Sequence, residues 1–333
     1  MIRTLLILFA FCFPSLGHTF CSGPSQFDNL TAEERKMLRE KAHAEPHSQG
    51  LLWQIEKNGI QSYIVGTMHF PDPRHKDTLT VLAPLMNDTR VLFLELTKPD
   101  EVAFTQQLTS DPSIYLINEG PSLIDRLGEE AWQTLKTNLN ERSFPSALAA
   151  RYQPWFLALT LSIPPCAQNA LQSGKVGLDR MVESAALEIE LETRSLDSAQ
   201  SMIDLLAADP IDTQVEDLRI ALETDTFGKS YAEAMVAFYF DQETVLAWEF
   251  SIHEAYKAAE EIHIARLDDQ IARMEEALVT NRNQVWFDVL KTELAKTPST
   301  VAVGALHLPG EQGLLALLEG EGFKVIRVEI PNY

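Results

Sequence analysis

The stretch YIVGTMHF, residues 63 to 70, combines an apolar run typical of a buried strand with Gly66 and, three positions later, His69. A second stretch, VAVGALHL at residues 301 to 308, repeats the pattern and carries His307. Both stretches place Val-Gly-x-x-His directly after a strand. In α/β sheets, ligand sites lie beyond the carboxyl ends of strands, and glycine allows a sharp turn there. We therefore expect His69 and His307 to converge at one rim of one sheet.

Strand-like segments lie towards both ends of the chain. A hairpin is predicted where KNG joins two strand-like runs, because Asn58 and Gly59 can adopt positive φ. Between about residues 100 and 297 the pattern is helical, and strands are expected only outside it, in segments 51–66, 90–96, 299–304 and 323–330. The predicted fold class is α/β, with a central mixed sheet built from both chain ends and a large helical insertion.

Composition excludes some classes of protein. The chain has 333 residues, of which 45% are hydrophobic and 23% charged, so it can bury a sizeable core. Its formal net charge is −21, and no run of Lys and Arg is present to attract a phosphate backbone. We therefore expect a peptide or small-molecule substrate and no nucleic acid partner. The sequence does not indicate an oligomeric state.

The N-terminal segment predicts export. Residues 1–17 contain a basic start at Arg3, an apolar run and then small residues, which is typical of a secretory signal peptide. The apolar run is shorter than the roughly 20 residues of a membrane-spanning helix, so no transmembrane segment is expected after cleavage. We expect a periplasmic or extracellular bacterial protein, in which residues 18–48 form a tail and a leading helix. Residues 49–333 then form a single domain.

Two cysteines remain once the predicted signal peptide is removed. Cys21 and Cys166 would then lie in a compartment that permits disulfides. They could pair, or they could stay as two unpaired thiols. Spacing alone does not decide between these alternatives.

A third candidate for the site is Glu95, which follows the apolar run RVLFL. A carboxylate in that position is costly to bury without a partner. Two imidazoles and one carboxylate can hold a divalent metal ion and lower the pKa of a bound water. The alternative is two packed histidines and a solvated glutamate. His75, six residues past His69, is expected to lie outside the site.

Several motifs occur in the order seen in the TraB/GumN family of bacterial proteins, which shares its fold and its paired Gly-x-x-His motifs with the Tiki membrane metalloproteases. The matching segments are YIVGTMHF, FLEL, RYQPW, VGLDRMV, NRN and VAVGALHLPGEQGLLALL, and the resemblance covers about residues 50 to 330. It implies a Tiki-like hydrolase site in which His69, Glu95 and His307 bind Mn2+ or Co2+, with Zn2+ as a further candidate. In Tiki proteins this site cleaves peptide bonds.

The resemblance also singles out Arg282 and Asn283 in TNRNQVW. A guanidinium and an amide near a metal could orient a substrate carbonyl and stabilise the oxyanion formed by attack of water. The alternative is a helix junction in which Arg282 pairs with a nearby acid. Arg151 and Asp179 match other blocks of the family, and we interpret both as structural residues.

The leading hypothesis is a secreted, metal-dependent, peptidase-like hydrolase that activates water with two histidines and one glutamate. A metal-independent, esterase-like hydrolase using a histidine base is the enzymatic alternative. The non-enzymatic alternative is a periplasmic protein that binds or sequesters peptides. No HExxH, GxSxG or Walker-type loop occurs in the sequence, so the common zinc-protease and serine-hydrolase mechanisms have no support.

Overall fold

The sheet at the centre of the protein has six strands in the order β4-β3-β5-β2-β1-β6. The structure is a computed structural model that describes residue 21 and residues 26–331, so the predicted signal peptide, residues 1–17, lies outside the described residues. The strands are β1 (Leu52–Lys57), β2 (Ile60–Thr67), β3 (Val91–Leu94), β4 (Glu192–Ser195), β5 (Ser299–Gly304) and β6 (Lys324–Arg327). Both chain ends contribute strands, which confirms the predicted α/β fold class.

The sheet is mixed, as predicted. Strands β2, β5, β3 and β4 are parallel neighbours, whereas β1 pairs antiparallel with both β2 and β6. The predicted hairpin joins β1 to β2: Lys57 pairs with Ile60, and the two residues of the turn, Asn58 and Gly59, have φ of 56° and 76°. The carboxyl ends of the four parallel strands therefore lie at one rim.

Strand β4 corrects the prediction that the region from about 100 to 297 contains no strand. Its four residues, ETRS, pair with β3 at the edge of the sheet. Glu192 and Arg194 are exposed along it. Charged side chains on an edge strand prevent it from pairing with other chains, and they also remove the apolar pattern by which a strand is recognised in a sequence.

Helices occupy most of the remaining chain, including the predicted leading helix. Their bounds are α1 (Ala32–His43), α2 (His75–Met86), α3 (Lys98–Ser110), α4 (Leu123–Leu127), α5 (Glu129–Glu141), α6 (Ser146–Ala149), α7 (Pro154–Leu161), α8 (Pro165–Gln172), α9 (Leu178–Glu188), α10 (Ala199–Leu206), α11 (Ile211–Glu223), α12 (Lys229–Phe240), α13 (Thr244–Ala258), α14 (Ile264–Glu275), α15 (Asn281–Glu293) and α16 (Leu314–Gly320). A π-helical segment, Glu276–Thr280, joins α14 to α15. No helix in the described part of the chain is both long and apolar enough to cross a bilayer.

Helices cover both faces of the sheet. Successive residues of a strand point to opposite faces, so Tyr63 and Val65 belong to one buried cluster and Ile64 belongs to another. The first cluster includes buried residues of α2, α9 and α12, and the second includes buried residues of α15 and α16. Burial on both faces explains why the central strands are nearly continuous apolar runs. Helices α4, α5, α7 and α11 form a separate apolar cluster within the insertion.

The N-terminal segment is fastened to the domain by packing and by a disulfide. Thr31 caps α1 with a complete capping box, and Leu38 of α1 packs with Phe250 of α13 in a further apolar cluster. Cys21 is bonded to Cys166, the second residue of α8, across a separation of 145 residues in sequence. The disulfide therefore closes a loop that contains α1 and strands β1, β2 and β3.

Replacing Cys166 with Ser should lower the free energy of unfolding by about 4 kcal/mol, because the crosslink restricts the unfolded chain over a long loop. Denaturant unfolding measures this difference. The double variant with Ser at both positions 21 and 166 should be no less stable than the single variant. Intact-mass measurement of the purified protein without reductant should show the loss of two hydrogen atoms, and two alkylatable thiols at positions 21 and 166 would contradict the bond.

The side chain of His75 is hydrogen-bonded to the loop between β2 and α2. The His75 side chain is fully buried, and its Nε2 donates a hydrogen bond to the carbonyl of Phe70 at 2.8 Å. Its Nδ1 is buried and has no hydrogen-bond partner. Burial lowers the pKa of His75, although the Phe70 carbonyl and Asp72 act in the opposite direction. Burial therefore favours the neutral form of His75 in the folded protein.

Stability should fall on acidification because of His75. The pKa of His75 in the folded protein lies below the ordinary value of 6.5. As the pH drops below about 6.5, the unfolded chain therefore binds a proton at His75 more readily than the folded chain does, and the free energy of unfolding decreases. His75→Gln, which keeps a donor for the Phe70 carbonyl and cannot titrate, should lose less stability than the wild type between pH 7 and 5. Denaturant unfolding across that range, with the surface variant His263→Gln as control, measures the difference. Equal losses in His75→Gln and in the wild type would contradict this role.

Candidate active site

Four polar residues follow the carboxyl ends of the four parallel strands. His69 comes two residues after β2, Glu95 directly after β3, Asp197 two residues after β4, and His307 three residues after β5. Because these strands are adjacent and parallel, the four residues share one rim. The structure thus places His69 and His307 on the same rim, as the paired motifs predict.

The two motif glycines are required by close packing at this rim. A Cβ on Gly66 would lie 2.9 Å from the Cα of Ala305, which follows the glycine of the other motif. A Cβ on Gly304 would lie 3.0 Å from Oε1 of Glu95. Gly304 also donates its backbone N–H to that oxygen at 2.6 Å. Each glycine therefore lets a neighbouring segment approach its backbone.

Arg282 binds three of the groups that the strands bring together. Its Nη2 donates to Glu95 Oε2 at 2.5 Å and to Asp197 Oδ2 at 2.7 Å. Its Nε donates to the same Asp197 oxygen at 3.2 Å, and its Nη1 contacts His307 Nε2 at 3.2 Å. A last N–H reaches the carbonyl of Leu278 at 3.2 Å. These contacts use all five N–H groups of the guanidinium.

Asn283 fixes the tautomer of His307. The amide nitrogen of Asn283 donates to the carbonyls of His307 and Gln312 at 3.2 and 2.9 Å, so its oxygen faces the ring. His307 Nδ1 lies 2.8 Å from that oxygen and must carry the proton that is donated to it. The lone pair of Nε2 therefore faces Arg282. Asn283 is fully buried, and all its hydrogen-bonding groups are used within the protein.

The charge of Arg282 lowers the pKa values of both Glu95 and His307. Burial acts to raise the pKa of Glu95, but the charge of Arg282, together with His307, His69 and the Gly304 N–H, outweighs burial and lowers that pKa to about 2. Burial and the nearby Arg282 lower the pKa of His307 to about 4, although the charge of Glu95 acts in the opposite direction. At neutral pH Glu95 is ionised and His307 is neutral.

His69 has a different environment. Its side chain is 60% exposed, and its Nδ1 lies 3.5 Å from Oδ1 of Asp179. That oxygen of Asp179 is buried and has no hydrogen-bond partner. Burial in its surroundings opposes the charged form, but Asp179 and the charge of Glu95 outweigh it and raise the pKa of His69 to about 9. Nδ1 of His69 therefore faces the carboxylate of Asp179, and most of the side chain is accessible to solvent.

Helix α9 holds the loops that carry His69 and Glu95. The backbone N–H of Leu178 donates to the carbonyl of Met68 at 3.0 Å. Glu183 accepts the backbone N–H of Lys98 at 2.7 Å, and Arg180 donates to the carbonyl of Leu96. The start of α9 therefore sets the spacing between the ends of β2 and β3.

The π-helical segment Glu276–Thr280 ends two residues before Arg282. Such segments shift the register of side chains and often occur at functional sites. Trp286, in α15, packs against two residues of the site. The centre of its ring lies 4.5 Å from the guanidinium carbon of Arg282 and 4.4 Å from the centre of the His307 ring. The Trp286 indole N–H also donates to Asp197 at 3.2 Å.

These residues, as placed, do not fit a metal ion. In residue 21 and residues 26–331, no group of three His, Cys, Asp or Glu side chains is positioned to hold one. Both oxygens of Glu95 already accept hydrogen bonds, and the Nε2 lone pair of His307 faces the Arg282 cation. The ligand set of His69, Glu95 and His307 stays a prediction.

Sequence reasoning found part of this site. It selected His69, Glu95, His307, Arg282 and Asn283, and the last four form one hydrogen-bonded network. It missed Asp197, which follows a strand without apolar pattern, and Trp286. It interpreted Asp179 as structural; Asp179 does lie in the first turn of α9, but its free oxygen faces His69. Asn283 holds His307 and has no group left for a substrate carbonyl.

The comparisons with known proteins give one match. The model of the TraB/PrgY/gumN family matches residues 51–327, which is most of the chain and includes every residue of the site. No curated protein and no solved structure matches the chain. On the extent of that match, the chain belongs to the TraB/PrgY/gumN family.

Proposed function

We propose that the protein is a hydrolase of esters or peptide bonds that uses His69 as a general base and does not require a metal ion. One observation carries this proposal: an exposed His69 has a buried, unpaired carboxylate oxygen of Asp179 behind it, on the same rim as the Arg282 cation. A base, a group that orients it and a fixed positive charge are the parts that hydrolysis of a carbonyl compound needs.

The proposed reaction proceeds in two proton transfers. Nε2 of His69 takes a proton from water as the water oxygen attacks the substrate carbonyl carbon, and Asp179 stabilises the imidazolium that results. The negative charge on the carbonyl oxygen is stabilised by the positive charge of Arg282. The imidazolium then gives its proton to the leaving group as the bond to carbon breaks. Arg282 acts here through its charge, because its N–H groups already have acceptors.

The two histidines have different tasks in this proposal. The Nε2 of His307 faces Arg282, and its side chain is 7% exposed, so it is poorly placed to reach a substrate. Its low pKa also makes it a weak base. We assign to His307 and Glu95 the task of holding Arg282 in place. His69 is the member of the pair that water and substrate can reach.

We also propose that the protein acts after export, in the periplasm or outside the cell. The signal-peptide pattern at residues 1–17 supports this location. The bond between Cys21 and Cys166 supports it independently, because disulfides persist in oxidising compartments. The metal-dependent, peptidase-like hydrolase and the peptide-sequestering protein remain as the alternatives that the next experiment separates.

Turnover of chromogenic esters and fluorogenic peptides by the mature protein should persist in excess chelator. His69→Ala should lower kcat/KM by about 10²- to 10⁴-fold, the usual contribution of a general base. Its melting temperature should stay close to that of the wild type, because the ring is largely exposed. His263→Ala, which removes a histidine that pairs with Glu223, is the matched control.

Other results would select the alternatives. Turnover that disappears in chelator and returns with Mn2+ or Co2+ would support the metal-dependent hydrolase. Tight binding of peptides without any turnover would support the sequestering protein. Full activity of His69→Ala would remove His69 from the mechanism.

The pH dependence of kcat/KM should show an acid limb well above 6.5, towards about 9, because His69 must lose its proton to act as a base. Asp179→Asn removes a charge that raises this pKa, so its acid limb should move towards 6.5. Its plateau should also fall, because the ring loses the group that orients it. Initial rates from pH 5 to 10 measure both effects, and an acid limb that does not move in Asp179→Asn would contradict the pairing.

A further inference from the structure

We propose that Arg282 is the resident cation of this site and occupies the position that a divalent metal ion would need. Three electron-pair donors converge on its guanidinium: Glu95 Oε2 at 2.5 Å, Asp197 Oδ2 at 2.7 Å and His307 Nε2 at 3.2 Å. Carboxylate oxygens and a neutral imidazole nitrogen are the donor types that bind divalent transition metals. In this chain they bind a side chain of the protein instead.

Each donor has a further contact besides the one to Arg282. Glu95 is fixed through its second oxygen by the backbone N–H of Gly304 at 2.6 Å. His307 is oriented by Asn283, as histidines that bind metals are oriented by a second hydrogen bond. Asp197 accepts a hydrogen bond from the Trp286 indole at 3.2 Å, and its backbone N–H donates to the carbonyl of Glu95 at 2.9 Å. Each of the three donors is therefore oriented towards the guanidinium by at least one further contact.

Arg282 and a metal ion would exclude each other in this site. A guanidinium keeps its positive charge at all accessible pH values, so an ion beside it would be repelled. Arg282 cannot easily withdraw, because Asp197 binds it at two nitrogens and the Trp286 ring packs against it at 4.5 Å. Its side chain is only 13% exposed. The site is thus closed to divalent ions while Arg282 is in place.

This inference predicts a metal site in the variant Arg282→Ala. The mature wild type, freed of metal by chelator and titrated with CoCl2, should show no site that depends on His307. Arg282→Ala should bind one Co2+ on the order of tenfold or more tightly than the wild type, because a positive charge next to the ion has been removed. Calorimetry and the visible absorption of Co2+ detect this binding without any need for turnover, so the result is independent of the proposed function.

Two controls make the gain specific. The double variant Arg282→Ala/His307→Ala should lose the new Co2+ site, because its imidazole donor is absent. Arg282→Lys should resemble the wild type, because it keeps a positive charge at the position. Arg282→Ala leaves two carboxylates of low exposure without a cation, so it could fold poorly without metal. In that case Arg282→Ala/Asp197→Asn, which removes one charge of each sign, should gain Co2+ binding relative to the single variant Asp197→Asn.

The inference is supported if binding appears with the loss of Arg282 and disappears with the loss of His307. It is overturned if the wild type binds one equivalent of Co2+ that His307→Ala abolishes. It is also overturned if the folded Arg282→Ala and Arg282→Ala/Asp197→Asn variants bind Co2+ no better than the wild type and Asp197→Asn, respectively.

Discussion

The pairing of Arg282 with Glu95 and Asp197 is the interaction on which the site depends. The two carboxylates come from the ends of neighbouring strands, β3 and β4, and each is largely buried. Burial alone would raise the pKa of Glu95, and the charge of Arg282 opposes that effect. The arginine reaches them from α15, so the ion pairs connect the sheet to the long helical insertion. The loop that carries His307 joins the same network through Asn283.

The duplicated motif produces two histidines with opposite properties. His69 is exposed and its pKa is raised to about 9, whereas His307 is buried and its pKa is lowered to about 4. The difference arises from their neighbours, a carboxylate behind one ring and a guanidinium in front of the other. Two groups of one type whose pKa values are separated in this way can hold different roles in one reaction. Sequence symmetry therefore does not imply chemical symmetry here.

Local sequence signals were sufficient for five of the six strands and for one part of the site. The apolar runs of the central strands, the Asn58-Gly59 turn and the glycine of each motif each have a local physical signature, and the structure confirms them. Asp197 has no such signature, because its strand is a charged edge strand. The roles of Asp179, Trp286 and Asn283 depend on contacts between segments far apart in the sequence, which a reading of one sequence cannot supply.

The position of the Arg282 guanidinium is tested most directly by crystallography. Crystals of the protein grown with Co2+ or Mn2+ would give anomalous scattering from any bound ion. We expect planar guanidinium density between Glu95 and His307 and no anomalous peak there. A peak about 2.0–2.2 Å from His307 Nε2 and a Glu95 oxygen, with Arg282 displaced, would contradict it.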